Sequence, residues 1–176
     1  MNIFILNSGR CGSTTFIKAC QHITNYTAAH ESLLTETGSK RFNYAENHIE
    51  ADNRLSWFLG RLDKTFGDNA YYVHLSRNPD ETADSFSRRI NFGILKAYEQ
   101  GILMHEKHKL PAHEIATDYI ETVESNIKHF LKDKSNTMDI SLETIKTDFT
   151  EFWNSINAQG DLAKALKELD INYNAS

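Results

Sequence analysis

Residues 3–15 constrain the fold more than any other stretch of this chain. Ile3-Phe4-Ile5-Leu6 is an unbroken apolar run, and Asn7-Ser8-Gly9-Arg10-Cys11-Gly12-Ser13-Thr14-Thr15 closes it at once. Phe16, Ala19, Cys20 and Ile23 then recur at i, i+3, i+4 and i+7. The run reads as a strand buried on both faces, and the spacing after it reads as the apolar stripe of a helix. A buried strand that enters a helix through a glycine turn belongs to a parallel sheet covered on both sides.

The remaining pattern extends that sheet. Asn25 to His30 reads as a further strand. Leu55, Phe58, Leu59, Leu62 and Phe66 keep a helical period until Gly67-Asp68-Asn69 breaks it, and the β-branched and aromatic run Tyr71-Tyr72-Val73-His74-Leu75 follows. Asn78 is placed to cap the next helix, with Pro79 at its first position and Asp80 and Glu81 in its first turn, against the positive end of the dipole. Pro111 opens a long helix to about Lys132, Met138, Ile140 and Leu142 alternate as a strand does, and two short amphipathic helices close the chain. The expected fold is α/β, three layers (α/β/α) around a central, mostly parallel sheet, in a single domain spanning residues 1–176.

Charge narrows the partners. The chain of 176 residues holds 24 acidic and 19 basic side chains, and the whole deficit of 5 falls after residue 100. A broad basic face for nucleic acid is therefore not expected, although a small basic pocket is compatible with the first hundred residues. The early apolar run is too short for a membrane span or a secretory signal, so the expectation is a soluble, cytoplasmic protein with no membrane partner. Cys11 and Cys20 are expected to be reduced thiols.

The loop after the first strand carries anion chemistry. Gly9 and Gly12 let the backbone approach a ligand, amides at the helix start point into the turn, and Ser13, Thr14 and Thr15 add hydroxyl donors. A lysine after Gly12 would make it a nucleoside-triphosphate loop, but Ser13 stands there and Arg10 supplies the cation from within. Cys11 does not begin a phosphatase motif, because Ile17 occupies the position where that motif needs arginine.

A second motif, Arg77-Asn78-Pro79 with Ser85 eight residues beyond the arginine, follows a predicted strand. Together, Arg10-Cys11-Gly12-Ser13-Thr14 and Arg77-Asn78-Pro79…Ser85 resemble the signatures of the sulfotransferases that use 3′-phosphoadenosine 5′-phosphosulfate (PAPS). The resemblance implies a P-loop-like fold and transfer of a sulfuryl group from PAPS to a hydroxyl or amine, without a metal, leaving adenosine 3′,5′-bisphosphate. It implies that Gly9, Arg10, Cys11, Gly12, Ser13, Thr14 and Thr15 hold the 5′-phosphosulfate, and that Arg77 and Ser85 hold the 3′-phosphate. It also implies a base after the second strand, where Ala29-His30-Glu31-Ser32 offers Glu31 first and His30 as the substitute; Arg10 and Glu31 or His30 are the expected catalytic residues. The acceptor, a small molecule or a glycan or peptide, is not specified by these motifs, nor is the oligomeric state; acceptor pockets in the family are built from variable loops, which the resemblance places at residues 32–53 and 92–112.

Several features depart from the family pattern. Many relatives have a lysine before the helix that precedes the 3′-phosphate strand, and the nearest cation here is Arg54. Many also end in a basic, glycine-containing segment, whereas here no basic residue follows Lys167. Arg88 or Arg89 takes its place, or nucleotide affinity is weak. The rival readings are a non-catalytic nucleotide-binding module of the same fold and a small nucleotide kinase. His105-Glu106-Lys107-His108-Lys109 lacks the last histidine of a zinc-protease helix and reads as a polar helix end. Phe149, Phe152 and Trp153 read as core.

Overall fold

The N-terminal apolar run forms β1 (Asn2–Leu6), buried along its whole length. Its side chains alternate between two cores, as strand geometry requires. Ile3 and Ile5 join one apolar cluster and Phe4 and Leu6 the other. The structure, a computed structural model, describes residues 1–105, 110–171 and 173. His108 and the chain end at Asn172 and Asn174 to Ser176 lie outside the described residues.

Four further strands, β2 (Thr27–His30), β3 (His48–Ala51), β4 (Ala70–Ser76) and β5 (Thr137–Ser141), pair with β1 in the order β2-β3-β1-β4-β5, every pair parallel. The expected three-layer α/β/α architecture is thus present, with an entirely parallel sheet. On one face lie α1 (Ser13–Cys20), α6 (Ile145–Ser155) and α7 (Leu162–Glu168); on the other lie α2 (Leu59–Phe66), α3 (Pro79–Ser87), α4 (Gly93–Ala97) and α5 (Ala112–Leu131). Phe149 and Phe152 pack against Phe16 at centroid distances of 5.2 and 5.3 Å, so the aromatic stripe is core. Such pairs contribute about 0.5–1.5 kcal/mol each beyond their buried area. Asn78 caps α3 through Glu81 N at 3.1 Å, with Pro79 at its start. No helix among the described residues is long and apolar enough to cross a membrane.

Three stretches differ from the sequence reading, and the first is 92–112, read as loop, which holds α4 and a π-helical turn (Tyr98–Ile102) whose Leu95 and Tyr98 are buried in the core. The segment 32–53, read as loop, contains β3, which sits between β1 and β2. Its polar residues disguised it: Glu50 is fully buried, yet it accepts hydrogen bonds from Ser32 N and Ser32 Oγ and pairs with His48 Nε2. The helix read across residues 55–66 is two pieces, a 3-10 turn (Asn53–Trp57) and then α2.

His74 on β4 is buried between α5 and β5, with Nε2 2.5 Å from Glu124 and Nδ1 3.1 Å from Asp139. Burial works against its cationic form, but the two carboxylates outweigh burial and raise its pKa above the ordinary histidine value. A raised folded-state value means that this pairing stabilises the fold fully below the unfolded histidine range, about 6.5, and that the contribution is lost as pH rises through the folded value. The urea midpoint is expected to fall across that window in the wild type, with the fall absent in His74→Gln. An equal fall in both would assign the pH dependence to other groups.

Candidate functional site

The C-terminal ends of a parallel sheet and the helix starts that follow form the natural crevice of such a fold. Here the loop from β1 to α1 is built to approach an anion. Gly9, Arg10 and Gly12 all have positive φ, 98°, 60° and 84°. A Cβ at Gly12 would lie 2.7 Å from Leu142 Cδ1, and one at Gly9 would meet Asn53 Nδ2 and Phe86 Cζ, both at 3.1 Å. The positive φ favours glycine at both places, and a side chain at either would also have to displace the ends of the Leu142, Asn53 or Phe86 side chains.

The loop is fixed from several sides. Asn7 Oδ1 accepts from Gly9 N at 2.9 Å, Ser56 Oγ donates to Asn7 O at 3.1 Å, and Tyr119 OH donates to Ser8 O at 2.7 Å. The α1 N-terminus has no side-chain cap. Its first amides therefore face the cleft with their share of the helix dipole.

A cleft of about 680 Å³ opens over this loop. Gly9, Arg10, Gly12, Ser13, Thr14 and Thr15 line it together with His30, Glu31, Arg77, Ser85 and Arg89. Positions far apart in the sequence reading thus reach one cavity. Cys11 does not present its side chain there: it is 1% exposed and packed in the core beside Phe16. Burial, the largest influence, pushes its thiol up to about 12, so only its backbone is available to a ligand. Cys20 is likewise a buried free thiol.

Cations converge at one end. Arg10 Nε donates to Ser85 Oγ at 2.9 Å, joining the two sequence motifs directly. The Arg10 guanidinium is destabilised first by burial and then by the charges of Arg89, Arg88 and Arg77, which together lower its pKa. Like charges gathered in a partly buried cleft are relieved by an anion, and both Arg88 and Arg89 line the cavity. Arg77 holds Glu81 through Nε at 3.0 Å and Nη2 at 2.5 Å. Glu143 ties the end of β5 to the start of α3, accepting from Asn78 N at 2.7 Å and from Ser141 Oγ. Burial opposes its charge, but those hydrogen bonds outweigh burial and hold it below the usual carboxylate range.

The two candidate bases face different neighbours. His30 Nε2 lies 3.0 Å from Ser13 Oγ and 3.5 Å from Thr14 Oγ1, against the anion loop. Glu31 Oε1 lies 2.9 Å from Arg54 Nη1. Arg54, matched to a nucleotide-binding lysine by position, is thus the partner of a carboxylate.

Asn53, Phe86, Phe92 and the Leu169–Ile171 stretch also line the cleft; Asn53 and Phe92 fall at the edges of the two stretches expected as acceptor loops, whereas Phe86 and Leu169–Ile171 were not read from the sequence as site residues. Asn53 follows β3, so recognising that strand would have placed it at a strand end. Phe92 is largely exposed, and Thr15 Oγ1 donates to Ile171 O at 3.1 Å. A second cavity of about 700 Å³ at the start of α5 carries Glu114, Asp118 and Glu121 where the first carries guanidinium groups. Anion chemistry belongs to the first.

No family model and no curated protein sequence matches this chain. Among solved structures, the sulfotransferase domain from the curacin biosynthetic pathway is similar to it with a TM-score of 0.69 and 15% identity, over 99% of this chain and 78% of that one. The chain therefore has a sulfotransferase-like α/β fold.

Proposed function

We propose that the protein is a PAPS-dependent sulfotransferase acting on a hydroxyl or amine of a small-molecule, glycan or peptide acceptor. The observation that carries this reading is the joining of the two motifs in one cleft, Arg10 Nε on Ser85 Oγ beside the uncapped start of α1, with Arg77, Arg88 and Arg89 around them. The acceptor oxygen or nitrogen forms its bond to sulfur as its proton passes to the Glu31 carboxylate. The bond from sulfur to the bridging oxygen breaks, and its electron pair stays on the 5′-phosphate. Arg10 and the amides of α1 take up the charge that builds there. The absence of a lysine after Gly12 argues against a nucleotide kinase.

Adenosine 3′,5′-bisphosphate is expected to raise the melting temperature well above the value with AMP. At about 100 times its dissociation constant a ligand adds about 2.7 kcal/mol. Equal shifts from the two nucleotides would remove the 3′-phosphate site from Arg77 and Ser85.

The rival reading is a non-catalytic nucleotide-binding module of the same fold. Tight binding of the bisphosphate with no sulfuryl transfer to any acceptor would establish it.

A further inference from the structure

Glu31 is held in place more firmly than a solvated loop residue requires. Its φ is 54°, in the left-handed region. For a residue with a Cβ that conformation is strained and persists only where surroundings impose it. Glu31 N donates to Ala51 O at 3.0 Å, and Ser32 donates its amide at 2.8 Å and its hydroxyl at 2.5 Å to the two carboxylate oxygens of Glu50. The backbone on both sides of the turn is thereby tied to β3.

The side chain is held from a second direction. Arg54 Nη1 lies 2.9 Å from Glu31 Oε1. Arg54 is itself placed by Asp52, whose Oδ1 accepts from Arg54 N at 2.8 Å and lies 3.8 Å from Nη1. Asp52 has no exposure, and its other oxygen accepts from Arg41 Nη2, on a guanidinium only 3% exposed. A line of alternating charge, Arg41, Asp52, Arg54, Glu31, thus runs from the interior to the cleft. Burying charges in this way is a poor route to stability, because desolvation offsets the attraction. Its effect is to hold the last carboxylate at one place. Arg54 lines the same cleft as Arg10, Arg77, Arg88 and Arg89, but its guanidinium is engaged by the carboxylates of Glu31 and Asp52.

We infer that Arg54 is a positioning residue for sulfuryl transfer: it holds the Glu31 carboxylate toward the acceptor and does not bind the nucleotide. The inference rests on the function proposed above.

The test uses single-turnover release of sulfate from PAPS labelled in the sulfuryl group, with water as the acceptor, alongside calorimetric titration with adenosine 3′,5′-bisphosphate. Arg54→Gln is expected to slow release by about 10–100-fold, the range in which misplacement of a reacting group is felt. Bisphosphate affinity, which also reports that the variant is folded, is expected to stay within about twofold. Arg54→Lys, which keeps the charge, should recover much of the rate. The double variant Glu31→Gln/Arg54→Gln should be no slower than Glu31→Gln alone, since a positioning residue has nothing left to place. A tenfold weakening of bisphosphate binding in Arg54→Gln would make Arg54 a nucleotide ligand and overturn the inference. Unchanged release in Arg54→Gln, or additive losses in the double variant, would overturn it while leaving the sulfotransferase reading intact. A wild type that binds the bisphosphate but passes no sulfuryl group to water or to any hydroxyl or amine acceptor would overturn both.

Discussion

Glu31→Gln is expected to lower sulfuryl transfer at saturating PAPS by about 10²–10⁴-fold, the usual contribution of a general base. The amide keeps the shape of the carboxylate and can still accept a hydrogen bond from Arg54, but it cannot take the acceptor's proton. Nucleotide affinity should barely change, because Glu31 pairs with Arg54 and not with the cations around Arg10. The measurement is single-turnover transfer by the wild type, Glu31→Gln and His30→Gln. The geometry separates the two candidates, since the His30 ring lies against the hydroxyls of Ser13 and Thr14. A large loss confined to His30→Gln would transfer the base role to the histidine. Full activity in both variants would make the turn after β2 structural.

Arg10→Ala is expected to lower turnover at saturating PAPS by about 10²–10³-fold, the loss seen when one donor to a developing anion is removed. Arg77→Ala should instead act chiefly on nucleotide affinity. The two differ because charge on the bridging oxygen grows only as the sulfuryl group leaves, while a 3′-phosphate carries its charge throughout. Arg10 is well placed to meet that growing charge, since it stands in the loop itself, partly buried, where a guanidinium interacts more strongly than in water. Single-turnover rates and dissociation constants for both variants decide the matter. An unchanged rate in Arg10→Ala would make the loop a binding element only.

How much of this was legible beforehand varied by residue. β1, α1, β4 and α3 could be read because each carries a local signal: a continuous apolar run, an i, i+3, i+4 stripe, or a cap followed by proline. β3 could not. His48-Ile49-Glu50-Ala51 alternates polar and apolar residues over only four positions, too short a run to mark a strand by itself, and it is a strand because β1 and β2 offer it hydrogen-bonding edges on both sides. Glu50 tolerates burial there only because Ser32, eighteen residues earlier in the chain, satisfies both its oxygens. The break at Phe58 had a similar origin. Asp52 starts a 3-10 turn by accepting from Arg54 N, and α2 begins only afterwards.

The sequence by itself determined the strand–loop–helix entry, the glycine- and hydroxyl-rich make-up of that loop and the second motif at Arg77 and Ser85, because glycines, hydroxyls, caps and periodic apolar positions act over a few residues. Only the tertiary structure decided which groups meet. It turned Cys11 inward, brought Arg10 onto Ser85 across seventy-five positions, and set Arg54 against the carboxylate of Glu31. Such pairings depend on which strands are neighbours. That order follows from how the two apolar faces of the sheet are covered by helices distant in the chain, which no short stretch of residues encodes.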